Sequence, residues 1–394
     1  MNKNHPSQTV ERKSDWLLGK KIWVGVTGSI AAVEVVGIVR ELLRHGAEVR
    51  IVASKAALEL VGEKALEFAC GQPIVKGITG QVEHVVAGLE ADLLILSPCS
   101  ATTIGKILHG IGDTTPSLFA MSCMGAGVPL LIAPAMDGKM EYSKIVQQNL
   151  EQIRGLATVV EPRREEGKVK LADKESIVAH ACKIVGPRKL TAKRVLVVGG
   201  GTIEAIDDVR CITNHSSGKM ALSLANAAFS MGGDVDLWLG NSEVEISNWL
   251  NSKRFRSLDD LEEMVDNMDR YDVVLLPAAL ADFKPIQKSG KIESGKKIEI
   301  ELEPTEKLLP KLREKHKGVL ISFKLEAGLD DEGLVNSGKE LLKYSDAVVG
   351  NLSEVLGSDK SRTALITNDN VDWLEGPKKE IAESLIEWAA AQQP

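Results

Sequence analysis

The sequence predicts an α/β protein built from two doubly wound three-layer domains, and three observations carry that prediction. Aliphatic runs recur with helix-length segments between them. The runs are continuously apolar, as strands of a parallel sheet must be when helices cover both of its faces. The pattern then starts afresh near the middle of the 394 residues, a length that a single hydrophobic core rarely serves.

The first set reads KIWVGVTG, the helical AAVEVVGIVRELLRHG, the strand AEVRIVAS, a helical stretch, and the strands ADLLILSPCS and VPLLIAPAM. The second reads KRVLVVGGG, DVDLWLG, YDVVLLPAAL, KGVLISFKL, SDAVVGN and RTALITN. A basic stretch around Pro187 separates them and reads as a linker. The expected boundaries are a polar tail over 1–19, a first domain over 20–184, a linker over 185–193 and a second domain over 194–394. Residues 114–136 lack charge and are long enough to cross a bilayer, but Pro116, Gly125, Gly127, Pro129 and Pro134 interrupt them. A loop and a buried strand are expected there instead.

Composition narrows the function. With 44% hydrophobic and 26% charged residues the chain is of ordinary globular composition, and a net charge of −7 excludes a protein that coats nucleic acid. The five cysteines are scattered, odd in number and never spaced CxxC, which excludes a disulfide framework and a thiolate zinc site. The N-terminus has no apolar stretch of the secretory kind, so a cytoplasmic protein with small-molecule partners, and neither membrane nor nucleic acid, is expected.

Chemistry is expected where strands end and helices begin, because that edge of an open parallel sheet is where ligands bind. In VTGSIAA, Gly28 and Ser29 occupy such a turn, either to receive a phosphate or flavin edge or because the turn needs glycine for its geometry. SPCSATTIGKI brings Ser97, Ser100, Thr102 and Thr103 together at the next strand end. One helix cap needs one hydroxyl and not four, which favours a phosphate site. His84 alone reads as a surface histidine.

Taken in order, VTGSIAA, the histidine of VEHVVAGLEADLLILSPCSATTIGKI, GDTTPSLF and PAMDGKM resemble the flavin-dependent cysteine decarboxylase family, which includes phosphopantothenoylcysteine decarboxylase. The resemblance implies FMN bound by Gly28, Ser29, Ser54, Ser97, Ser100 and Thr102, with His84 as catalytic base. Two departures stand out. Asp137 occupies the position where the family has an asparagine that grips the substrate carboxylate, and an ionised aspartate repels that group. A proton on the carboxyl, a neighbour such as Lys139, or altered activity would each account for it. The segment VVEPRREEGKVKLAD replaces a flap that in the family carries a cysteine, leaving Glu161, Glu165 or Glu166 as proton donors, or else a charged loop without a chemical role.

In the second half, Asn214, Ser216, Ser217 and Lys219 form a polar cluster ahead of a helix, and GGGT lacks the full dinucleotide fingerprint. Asp282 follows an apolar strand. Lys291 and the pair Lys296–Lys297 lie in a Gly/Ser/Lys loop that reads either as a solvated hairpin tip or as a closing loop over a polyphosphate. Lys339 and Lys343 are spaced to share a helix face. The ordered motifs TIEAIDDVRCITNHSSGKM, PAALADFKP, GKIES, EPTEKLL and FKLE resemble the phosphopantothenate–cysteine ligase family. That resemblance implies Asn214 on an acyl-nucleotide intermediate, Lys291 as catalytic, and a nucleotide, commonly CTP, held by Ala278, Asp282, Lys291, Glu306, Lys307, Leu308, Leu309, Phe323, Lys339 and Lys343.

The fusion of both resemblances in this order is the architecture of bifunctional coenzyme A biosynthesis proteins, and it implies a flavodoxin-like FMN-binding domain followed by a Rossmann-like ligase domain. It implies ligation of 4′-phosphopantothenate to cysteine with CTP and Mg²⁺, then FMN-dependent decarboxylation of the product, in a homo-oligomer with sites shared between subunits. Metal ligands are not legible. The rival readings are a ligase carrying a non-catalytic FMN domain, a flavin prenyltransferase-like protein, and a flavin- or nicotinamide-linked oxidoreductase. Carbon dioxide release separates the first, and stoichiometric consumption of NAD(P)H the last.

Overall fold

A computed structural model describes residues 5–7, 9–165, 168–293, 295, 297–352 and 360–392. They form two compact units, Met1–Arg188 and Lys189–Pro394.

The first unit is built on strands β1 (Lys21–Val26), β2 (Glu48–Ala53), β3 (Leu93–Cys99), β4 (Leu130–Pro134) and β5 (Thr158–Val159), all parallel, in the order β2-β1-β3-β4-β5. Adjacent residues explain why the apolar runs are unbroken. Ile22 and Val24 enter one core with Ile38 and Leu42, while Trp23 enters the other with Leu94, Leu96 and Phe119. Helices α1 (Val35–Arg44), α2 (Lys55–Leu58), α3 (Glu63–Cys70), α4 (Glu83–Glu90), α5 (Ala101–Leu108), α6 (Thr115–Gly125), α7 (Gly138–Glu141), α8 (Lys144–Arg154) and α9 (Lys174–Val185) surround the sheet. A two-stranded hairpin, β6 (Arg163–Glu165) and β7 (Lys168–Lys170), stands apart from it.

Two expectations change here. The uncharged segment after residue 114 begins with helix α6, not a loop: Pro116 falls in the first turn, where the absent N–H has no helical partner to lose, and the glycines come only at its end. Part of the segment read as a polar tail is packed down. Leu17 is fully buried, and Lys13 and Arg44 pair with buried Glu41 at 2.5 and 2.8 Å. Burial pushes the Glu41 carboxyl up, but the two cations outweigh it and hold it below its ordinary range.

The second unit contains β8 (Arg194–Gly199), β9 (Ile203–Ala205), β10 (Cys211–Thr213), α10 (Lys219–Ser230), β11 (Asp234–Leu239), β12 (Asn251–Arg254), α11 (Leu258–Asp266), β13 (Val273–Leu276), β14 (Phe283–Pro285), β15 (Leu302–Pro304), α12 (Leu308–Lys315), β16 (Val319–Glu326), α13 (Asp331–Lys339), β17 (Ala347–Leu352), β18 (Lys360–Ile366), β19 (Val371–Pro377) and α14 (Lys378–Ala391). Its main sheet runs β12-β11-β8-β13-β16-β17-β18-β19, parallel up to β17 and antiparallel beyond. The ribbons β9–β10 and β14–β15 lie outside this sheet. Edge strand β12 reads Asn-Ser-Lys-Arg, all exposed, and so escapes any search for apolar runs.

Candidate active sites

In the first unit the turn after β1 is tied to the turn after β3. The Thr27 hydroxyl donates to the Pro98 carbonyl at 2.8 Å and accepts from the Ser100 amide at 3.0 Å. Gly28 approaches α2 so closely that a Cβ would lie 2.7 Å from that of Ala56, so packing alone requires glycine there. Around these turns opens a cavity of about 1100 Å³ lined by Gly28, Ser29, Ser54, Ser100, Thr102, Asp137 and Met140 among others. Ser54 and Ser100 cap α2 and α5 by accepting from Ala57 and Thr103 amides. The Ser54 oxygen keeps its own O–H, the Ser100 hydroxyl shares a 3.0 Å hydrogen bond with that of Thr103, and Ser29 and Thr102 make no side-chain hydrogen bond among the described residues. Hydroxyl donors, a helix start and the exposed apolar Ile30 and Met140 fit a flavin phosphate and ring.

The structure does not bring every expected residue to this cavity. Ser97 lies inside β3, fully buried, its hydroxyl without a partner. His84 also does not line it. The histidine occupies the first turn of α4, after Val82 in the left-handed region at φ 47°, with Nδ1 buried and unpartnered. Because α4 precedes β3 and crosses back over the sheet, its first turn is nevertheless on the edge where the strands end. Asp137 caps α7, accepting from the Lys139 amide at 2.9 Å, and the Met136 amide donates to Val169 of the hairpin at 3.2 Å. The cations lining the cavity are Lys55, Lys106, Lys168 and Lys170, not Lys139, opposite Glu34, Glu59 and Asp137. Glu165 bonds Lys170 at 2.9 Å, which holds its carboxyl below its ordinary range, and Glu161 pairs with Arg154 away from the cavity. Neither lines the cavity; Glu166 lies outside the described residues.

In the second unit a cavity of about 1150 Å³ opens where β8, β13 and β16 end. Gly200, at φ +78°, turns the chain out of β8, and a Cβ there would meet the Gly240 amide at 2.8 Å. Asn214 Nδ2 donates to the Leu280 carbonyl at 2.8 Å, joining the loop before α10 to the loop after β13. Thr202 and Thr305 fix that second loop from two sides, through the Ala281 amide and carbonyl. Asn214, Ser216, Ser217, Lys219, Ala278, Asp282, Lys307, Leu308, Leu309, Phe323 and Lys343 all line the cavity. Asp282 forms an ion pair with Lys307, and Lys343 lies 5.0 Å from the Tyr344 ring.

Glu306, Lys339 and Lys291 do not line it. Helix α13 ends at Lys339, so Lys339 and Lys343 do not share a helix face. Lys291 is exposed on a backbone held from below. The Gly290 amide donates to Asp208 at 3.1 Å, the Ile292 amide to Asp207 at 3.0 Å, and Arg210 bridges Asp207 and the Ile292 carbonyl at 2.7 and 3.1 Å. Burial pushes the Asp207 carboxyl up, but amide donors from Ile292, Val209 and Arg210 outweigh it and bring it to about 2. Lys296 lies outside the described residues.

Sequence reasoning missed Lys55, Lys168 and Lys170 in the first cavity, and Glu243, Lys324, Tyr344 and Lys378 in the second. Lys55 had a legible signal, following a strand end. Lys378 had none, since it comes from the start of the C-terminal helix.

Comparison with known proteins agrees with this two-site geometry. A family model described as Flavoprotein matches residues 10–186, and one described as DNA/pantothenate metabolism flavoprotein C-terminal domain matches residues 190–392. A coenzyme A biosynthesis bifunctional protein CoaBC of Thermococcus kodakarensis is 40% identical over 400 positions, covering 97% of this chain and 98% of that one. This chain belongs to that bifunctional family. The corresponding protein of Methanocaldococcus jannaschii is 34% identical over 392 positions, covering 97% and 96%. A cysteine/cysteine sulfinic acid decarboxylase of an unknown prokaryote is 35% identical over 328 positions, covering 77% of this chain and 90% of its own. The chain is thus a coenzyme A biosynthesis enzyme with a flavoprotein decarboxylase unit and a ligase unit. Its two cavities differ in content: Ser29, Ser54, Ser100, Thr102, Thr103 and Thr114 line the first, whereas Lys219, Lys307, Lys324, Lys343 and Lys378 line the second.

Proposed function

We propose that the second unit joins 4′-phosphopantothenate to cysteine with CTP through an acyl-cytidylate, and that the first unit decarboxylates the resulting 4′-phosphopantothenoylcysteine to 4′-phosphopantetheine with FMN. The observation that carries this reading is the pair of cavities at the ends of two parallel sheets, one offering hydroxyl donors and a helix start, the other five lysines.

In the ligase cavity Lys219, Lys307, Lys324, Lys343 and Lys378 outnumber Asp282, Glu243 and Glu340, which suits a triphosphate. Asn214 would hold the acyl-cytidylate, and Lys291 would close over the transferring phosphate from its anchored loop. Among the described residues no group of three or more His, Cys, Asp or Glu could hold a metal, so Mg²⁺ enters on the nucleotide's phosphates.

In the decarboxylase cavity Ser29, Ser54, Ser100 and Thr102 would hold FMN, which supplies reversible oxidation of the cysteinyl thiol and so makes carbon dioxide loss easy. His84 would take the thiol proton. It lies outside its own cavity on a helix with exposed Val82, Val85 and Leu89, and a second copy that covers this face would bring His84 to a neighbouring site. A homo-oligomer is therefore part of the proposal, as is a cytoplasmic setting.

The test is one incubation. The purified chain, scanned for flavin absorbance, is given 4′-phosphopantothenate, cysteine and CTP, and both products are followed. A colourless protein that takes up no added FMN, or one that forms no phosphopantothenoylcysteine, overturns the corresponding half.

A further inference from the structure

We propose that Lys168, on hairpin strand β7, is the residue that binds the substrate carboxylate in the decarboxylase cavity, and that it does so against Asp137. The inference rests on the decarboxylase reading and adds a specificity-determining residue to it. Three observations carry it. First, the departure at Asp137 puts an anion where the carboxylate must come, and Asp137 does line the cavity. Its Oδ1 accepts from the Lys139 amide, and a carboxylate has only acceptors to offer the substrate. Second, the hairpin is fastened to this same motif, because the Met136 amide donates to the Val169 carbonyl. Lys168 and Lys170 both line the cavity, together with the buried Val169 between them. Third, the cations there are not equally available. Lys170 bonds Glu165 and Lys106 pairs with Asp113 at 2.8 Å, whereas Lys168 is exposed and has no ion-pair partner among the described residues. Lys55 shares that freedom, but it belongs to the first turn of α2 beside Ser54, away from the Met136–Val169 bridge.

The opposed charges have a chemical use. A carboxylate that is only attracted is stabilised in the ground state, and that stabilisation is lost as neutral carbon dioxide leaves. With Lys168 attracting and Asp137 repelling, the group is held by a small net force, and the repulsion is relieved as its charge moves away.

The experiment uses the full chain loaded with FMN and measures carbon dioxide release from 4′-phosphopantothenoylcysteine, with equilibrium binding read from the flavin spectrum. Lys168→Gln should raise KM by about 10–100-fold, the scale of a lost charge-assisted hydrogen bond, with kcat equal to or above that of wild type, because the attraction weakens as the charge leaves. Lys168→Arg should recover most of that loss. Asp137→Asn should lower KM, and in the Lys168→Gln background should restore part of the affinity. The decisive control is 4′-phosphopantetheine, which lacks the carboxylate: its binding should not change in Lys168→Gln. Equal weakening of both ligands, or a KM within 2-fold of wild type, overturns the proposal. If the wild type binds FMN but releases no carbon dioxide, the decarboxylase reading fails instead, and the two binding titrations still decide Lys168.

Discussion

In the decarboxylase unit the polar groups hang from strand ends and helix caps, and the added cations come on a hairpin joined to the PAMDG turn by a backbone bridge at Met136 and Val169. In the ligase unit the loops are cross-braced: Asn214, Thr202, Thr305, Asp207 and Arg210 each bind backbone of another loop. A site assembled from strand ends needs few braces, because the sheet itself fixes the ends. A site that needs a long loop to deliver a charge must anchor that loop elsewhere, and buried Asp207 is such an anchor.

The largest expected effect breaks the comparison cleanly. His84→Asn should lower carbon dioxide release by about 10³-fold or more and leave ligation unchanged, as loss of a general base in one of two independent sites predicts. If ligation fell with it in a folded protein, the units would not be chemically separate. Lys291→Gln should slow ligation by about 10²–10³-fold with decarboxylation intact, the usual scale for removing one preorganised charge-stabilising group. Wild-type turnover in this variant would reduce the loop to a surface hairpin.

Asp207→Ala sharpens the contrast, because it leaves Lys291 in place and removes only its mooring. Ligation should fall by roughly 10-fold, less than for Lys291→Gln, and Asp207→Asn, which keeps an acceptor oxygen, should be milder. Steady-state ligase assays on both variants check the order; an Asn variant worse than Ala would contradict the anchor.

The smallest effect is one of stability. Burial pushes the Glu383 carboxyl in α14 up to about 7, with Lys379 at 3.9 Å offsetting it only in part. The folded state therefore keeps a proton that the unfolded chain gives up near its ordinary pKa of 4.5. Stability conferred on this unit is present at low pH and declines as pH rises from the unfolded value through about 7. Glu383→Gln should remove that decline and raise the melting temperature at pH 8 by a few degrees, roughly 1–3 kcal/mol, while changing little at pH 4. Melting curves across this range measure it; an equal shift at both pH values would point to packing.

The sequence alone determined the two α/β sheets and pointed to the strand-end turns around which the cavities open. Unbroken aliphatic runs cannot be satisfied except by strands covered on both faces, and strand ends in such sheets are where polar turns such as GSIAA, SPCSATT and PAALADF collect. Single-sequence patterns could not reveal β12 or β19, because an edge strand or a charged antiparallel strand need not be apolar. Nor could they show that Ser97 points into the protein, that α13 stops at Lys339, or that His84 stands outside its own cavity. Those are matters of which way a side chain faces once its element is packed. The same holds for the lysines of VVEPRREEGKVKLAD: their charge is legible in the sequence, but only the pairing of Met136 with Val169 brings them to the cavity that Asp137 lines, since a short polar hairpin takes its position from the turn to which it hydrogen-bonds.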